Sequence, residues 1–146
     1  MSDIMLRPFG IEAREYQSTI AKSALQSNTL VVLPTGLGKT IVVLLIAAER
    51  LSMFAAGKVV VMAPTRPLVL QHARFFKEHL AGDGISSATL TGEISPELRS
   101  SNFHESRLVF ATPEVIRNDV FESRYTLTDV CLIVFDEAHR CVKDYD

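Results

Sequence analysis

The sequence predicts an α/β fold, a mostly parallel sheet covered by helices on both faces. Short continuous apolar runs rich in Val, Leu and Ile recur along the chain, as expected for parallel strands buried on both faces. Between them lie longer segments with helix start and stop signals, and this alternation describes a doubly wound sheet. The 146 residues suffice for one domain with a real core. A hydrophobic content of 47% with few Gly and Pro argues against a disordered chain.

In chain order, Glu12–Gln26 forms a leading helix and Thr29–Leu33 a first strand. A helix over Lys39–Ala55 is ended by Gly57, and the strand Lys58–Ala63 follows. Pro67–Leu80 is a further helix, ended near Gly82, with Phe75 and Phe76 at its core and rim. A weaker strand spans Ser87–Leu90. Pro96–Ser100 forms a short helix with Ser95 as its cap, and Arg107–Ala111 is the next strand. Thr112 caps a helix over Pro113–Glu122, with Pro113 in the first helical position, and Val130–Phe135 is the final strand. Cys131 in that strand reads as core, and two cysteines make no disulfide framework. There is no repeat, low-complexity segment or internal linker.

The net charge of −2 gives no electrostatic case for nucleic acid, and Lys58 to Arg124 contains eight basic and eight acidic residues. Any nucleic-acid site is therefore local, built from backbone amides, hydroxyls and a few arginines. The apolar run Ile41–Ala48 is too short to span a bilayer and is closed by Glu49 and Arg50. The first ten residues lack a basic region followed by an apolar stretch, so no signal peptide and no membrane partner are expected.

Two motifs carry chemistry. In LPTGLGKT (Leu33 to Thr40), Gly36 and Gly38 let the backbone turn its N–H groups towards phosphate oxygens. Lys39 would reach the β- and γ-phosphates, and the Thr40 hydroxyl would ligate magnesium. The strict phosphate-loop pattern has glycine where Leu33 stands, and a plain glycine turn between strand and helix is the bland alternative. In FDEAHR (Phe135 to Arg140), two carboxylates end an apolar strand. Asp136 would bind magnesium through water, and Glu137 would act as the base on the attacking water. An isolated pair of this kind would read equally as a solvated turn. The remaining histidines offer no set of metal ligands at a useful spacing.

DEAH, with PTGLGKT upstream, resembles the first RecA-like motor domain of superfamily 2 helicases. ArgGluTyrGln (Arg14 to Gln17) looks like the adenine-reading motif, and APTRPLVLQH (Ala63 to His72) like the motif that grips a nucleic-acid backbone. LTGE (Leu90 to Glu93) and ATPEVIRND (Ala111 to Asp119) look like the two later backbone-contacting motifs. Together with GEISPELR, these segments are most similar to the Hef and Fanconi anaemia group M branch, whose members are ATP-driven translocases that remodel forked and branched DNA. RNA-directed relatives carry similar motifs, and a non-motor nucleotide-binding module is a further alternative.

The resemblance implies ATP and Mg2+ as cofactors. Arg14, Gln17, Pro34, Thr35, Gly36, Leu37, Gly38, Lys39 and Thr40 would bind the nucleotide, with Phe9 or Tyr16 stacking on the base. Lys39, Asp136, Glu137 and His139 would form the catalytic set, His139 coupling the nucleotide site to a second motor domain. Thr40 and Asp136 would be the metal ligands. Thr65, Arg66, Gly92 and Thr112 would contact DNA phosphates, although Thr112 and Ser95 also suit helix caps and Gly92 an ordinary turn.

The resemblance further implies that residues 1–146 are a helicase ATP-binding domain that is incomplete at its C-terminal end. The Ser/Thr-Ala-Thr motif and the second motor domain would lie beyond Asp146. Such a piece would bind nucleotide without turning over. Thr29–Leu33 and Val130–Phe135 would face each other across a gap in the sheet, open to strain or to self-pairing with another copy. The expected location is the nucleus in a eukaryote or the nucleoid-associated cytoplasm in a prokaryote.

Overall fold

The computed structural model describes residues 5–6, 14–29, 31, 38–81 and 85–137. The elements are β1 (Met5–Leu6), α1 (Glu15–Gln26), α2 (Gly38–Met53), β2 (Lys58–Met62), α3 (Arg66–His79) and β3 (Leu80–Ala81), followed by β4 (Ser87–Leu90), α4 (Pro96–Glu105), β5 (Leu108–Ala111), α5 (Pro113–Phe121) and β6 (Val130–Phe135). Four strands form a parallel sheet in the order β4-β5-β2-β6, while β1 and β3 form a separate antiparallel pair that the sequence did not announce. Of the strand expected at Thr29–Leu33, only Thr29 and Val31 are described, and neither is in a strand. The predicted gap beside β6 therefore lies outside the described residues. Among the described residues, no helix is long and apolar enough to cross a membrane.

Alternation along the central strands builds one core on each face. Val59, Val61 and Ala63 with Leu108 and Phe110 pack under α2 and α3, which contribute Leu44, Leu51, Val69 and Phe76. Val60, Met62, Val109 and Ala111 point the other way, to Leu90, Phe103, Ile116 and Tyr125. This is why β2 and β5 are buried at every position and read as unbroken apolar runs. Phe76 lies in the first core with Phe75 partly buried beside it, as expected. Helix α1 covers α2 through Ala21, Val42 and Ile46.

Several boundaries move. Helix α1 begins at Glu15 because Arg14 is extended, and α2 stops at Met53, where a turn brings the Gly57 N–H to the Phe54 carbonyl at 3.0 Å. A Cβ at Gly57 would sit 2.8 Å from Cys131 Sγ, so the crossing to β2 needs glycine there. Cys131 is only partly buried, and its thiol is pushed up by burial. Helix α4 runs to Glu105, five residues beyond expectation, because Arg99 and Phe103 anchor it one turn apart. Helix α5 ends in a Schellman motif: Ser123 N–H bonds Val120 carbonyl, Arg124 N–H bonds Asp119 carbonyl, and Ser123 takes φ 57°.

Basic side chains close the C-terminal ends of three helices. Lys58 Nζ donates to the carbonyls of Phe103, His104 and Ser106 at 2.7, 3.2 and 2.6 Å, at the end of α4. Arg107 bonds the carbonyls of Leu51, Phe54 and Gly57 beyond and within the last turn of α2. Arg50 bonds Leu25 in the last turn of α1. Burial lowers the Lys58 pKa, and Arg107 adds to that against the opposing pull of Asp129.

Asp119 is 0% exposed and holds a charged cluster inside the second core. Arg99 grips both its carboxylate oxygens, at 2.9 and 2.7 Å, Tyr125 donates at 2.9 Å and Arg124 at 3.3 Å. Burial alone would raise the Asp119 carboxyl, yet these partners hold it below the usual carboxylate range. Burial and the Asp119 charge push the Tyr125 hydroxyl well above its ordinary value.

Candidate nucleotide and nucleic-acid site

In an open parallel sheet, ligands gather outside the C-terminal ends of the strands, where the following helices begin. Asp136 stands at that edge. Its N–H bonds the Met62 carbonyl at 2.8 Å, which carries the β6–β2 ladder one residue further and fixes Asp136 beside the end of β2. Both carboxylate oxygens have a partner: Oδ1 accepts the Glu137 N–H at 3.0 Å, and Oδ2 meets His72 Nε2 at 2.7 Å. Glu137 adopts φ 55°, a left-handed conformation uncommon for a residue with a side chain. The strain falls on the residue the motif casts as base, a recurrent location for such outliers.

The end of the phosphate motif opens α2. Gly38, Lys39 and Thr40 form its first residues and are half-buried, while Pro34, Thr35, Gly36 and Leu37 lie outside the described residues. Gln17 is 2% exposed, so it is not a surface amide. Its Oε1 accepts the Arg14 N–H at 2.8 Å, and its Nε2 donates to the Gly38 carbonyl at 3.4 Å. Gln17 thus ties the start of α1 to Gly38, the residue of the phosphate motif that opens α2. Arg14 and Tyr16 are exposed at the same end of α1. Phe9 and His139 lie outside the described residues.

The four residues expected on DNA divide in their behaviour. Thr65 and Thr112 occupy the N-cap positions of α3 and α5, but neither hydroxyl bonds its helix. The expectation that Thr112 caps α5 holds for its backbone and fails for its side chain. Ser95 does cap α4, accepting the Leu98 N–H at 3.3 Å. Arg66 pairs with Glu93 at 2.7 Å, both side chains more than half exposed. A Cβ at Gly92 would meet nothing within 4 Å, so internal packing does not demand glycine there.

Sequence reasoning missed His72 and Glu93 as partners of Asp136 and Arg66. Each pair joins segments far apart in the chain, and spacing carries no signal for that. Among the described residues, no group of three or more His, Cys, Asp or Glu is placed to hold a metal. One carboxylate and one hydroxyl are nonetheless a fitting donor set for magnesium, which takes its other oxygens from nucleotide phosphate and water. Each Asp136 oxygen retains a lone pair for a metal-bound water.

The DEAD/DEAH box helicase family matches residues 14–146. A DEAD-box ATP-dependent DNA helicase Fancm of Drosophila melanogaster is 39% identical over 142 residues, covering 94% of this chain and 10% of that protein. A DEAD-box ATP-dependent RNA helicase FANCM of Arabidopsis thaliana is 39% identical over 137 residues, covering 92% and 10%. This chain therefore spans about a tenth of the length of those two curated relatives. The crystal structure of the Pyrococcus furiosus Hef helicase domain is 47% identical with a TM-score of 0.82, over 90% of this chain and 28% of that one. The motifs, the parallel sheet and these matches agree, and this chain belongs to the DEAD/DEAH box helicase family.

Proposed function

We propose that this chain is the ATP-binding RecA-like part of a DNA translocase that acts on forked or branched DNA. The observation that carries the reading is the likeness to the Hef helicase domain at 47% identity and TM-score 0.82. The strand-end edge supports it, because Asp136, Glu137, Thr65 and Thr112 all stand where the sheet meets its helix starts.

Lys39 offsets charge on the β- and γ-phosphates, and Gly38 and Thr40 line the same end of α2. Bound magnesium, held by Thr40 and Asp136, would supply further charge neutralisation on the phosphates. Glu137 orients the attacking water and takes its proton. His139 would relay the nucleotide state to a second motor domain, whose arginines complete the site. Thr65, Arg66, Gly92 and Thr112 hold successive DNA phosphates without reading bases. Turnover requires both domains, since the arginines of the second stabilise charge on the transferred phosphoryl group. In a eukaryote the protein would act in the nucleus.

The test is ATP hydrolysis by the protein extended through a second motor domain, with forked DNA, linear duplex and RNA as activators. The reading expects the largest stimulation by forked DNA. It also expects Lys39→Ala to lose nucleotide binding, and Glu137→Gln to bind ATP without turnover. Stimulation by RNA alone would contradict the DNA assignment, and no stimulation by any nucleic acid would favour a non-motor nucleotide module.

A further inference from the structure

We propose that His72 is a positioning residue for the metal-binding carboxylate of Asp136, an inference that rests on the nucleotide site proposed above. The contact is short, 2.7 Å from Nε2 to Oδ2, and joins residues 64 positions apart. A carboxylate only accepts, so Nε2 carries the proton and donates it. His72 is 9% exposed and shares the buried face of α3 with Val69 and Phe76. Those neighbours sit in the core against β2 and β5, and the imidazole is thereby fixed to the sheet. Asp136 is fixed to the same sheet through the Met62 carbonyl. The pair is thus two rigidly mounted groups meeting at the strand-end edge.

This arrangement settles the orientation of Asp136. With Oδ1 on the Glu137 N–H and Oδ2 on His72, both ends of the carboxylate plane are pinned. Only the second lone pair of each oxygen is left for a metal-bound water. Without His72, rotation about the side chain is restrained at one oxygen only. Loss of an outer-shell partner of this kind typically lowers metal affinity about 10- to 100-fold. Because His72 acts on the site through Asp136, nucleotide binding without metal is expected to be spared.

The experiment uses the full-length protein and titrates Mg2+ against binding of a fluorescent ATP analogue, with metal-free binding measured alongside. His72→Leu is expected to raise the Mg2+ concentration at half-saturation roughly tenfold or more, with metal-free affinity unchanged. His72→Gln, long enough to place an N–H on Asp136, is expected to recover most of the loss. His72→Asn is polar but too short to reach, and it gives the same readout as leucine if the leucine variant does not fold. Wild-type binding that tightens with Mg2+ while the variants titrate identically would overturn this inference and leave the nucleotide site standing. Wild-type protein that binds no nucleotide at all would overturn both.

Discussion

At the strand-start edge of the sheet, Lys58 and Arg107 place their charges on the closing carbonyls of α4 and α2. At the strand-end edge, Thr65 and Thr112 begin α3 and α5 with no hydrogen bond from their hydroxyls to the helix. The two edges face the same physical demand, since helices leave orphan carbonyls at one end and orphan N–H groups at the other. The first edge meets it from within the chain. The second meets it at α4, through Ser95, and leaves it open at α3 and α5. A cap that the sequence can supply at one helix and withholds at two others on the same edge fits hydroxyls reserved for an outside acceptor such as phosphate.

The comparison can be broken first on its closed side. Asp119→Ala strands the buried Arg99 guanidinium and is expected to cost about 3–5 kcal/mol in urea unfolding, a large part of a domain's stability. A cost below about 1 kcal/mol would mean that the cluster contributes little to holding α4 and α5 together. Lys58→Met leaves the closing carbonyls of α4 without their charged donor, for an expected loss of about 2–3 kcal/mol by the same measurement. Equal stability would show that water replaces the ammonium.

Tyr125 sharpens the same side by pH. Its folded-state pKa lies above the ordinary value of 10.0, so its contribution is fully present below pH 10 and is lost as pH rises towards the folded value. Tyr125→Phe is expected to cost about 1 kcal/mol at pH 8, with the gap to wild type narrowing above pH 10. A gap that does not change with pH would contradict the raised pKa. The smallest effect is a gain. Ser123→Gly removes the left-handed penalty in the Schellman motif and is expected to stabilise by about 1 kcal/mol or less.

Much of this architecture was legible in advance, and the parts that were not share a cause. β4 and β6 match their expected bounds because apolar runs between turn signals mark buried strands. The second half of α4 was missed because Ser101, Asn102 and His104 are weak helix formers and Phe103 supplies its anchor only once the second core exists. Lys58 looked like the first residue of a strand, and its role depends on α4 ending beside it. His72 gave no signal because only the parallel pairing of β6 with β2 brings α3 to Asp136. At the site, motif spelling located Asp136 and Glu137, but not the left-handed turn at Glu137 or the inward turn of Gln17.

The claim that the strand-end edge is left open for phosphate is tested most directly by Thr65→Ala and Thr112→Ala, each measured for DNA affinity and for unfolding free energy. Since neither hydroxyl bonds its helix, stability is expected to change by less than about 0.5 kcal/mol, whereas Ser95→Ala loses about 1 kcal/mol. Affinity for forked DNA is expected to fall about three- to tenfold in both threonine variants, the size of one hydrogen bond, and equally for unrelated sequences. Threonine variants that bind DNA as wild type does while losing as much stability as Ser95→Ala would make these hydroxyls ordinary caps and contradict the account.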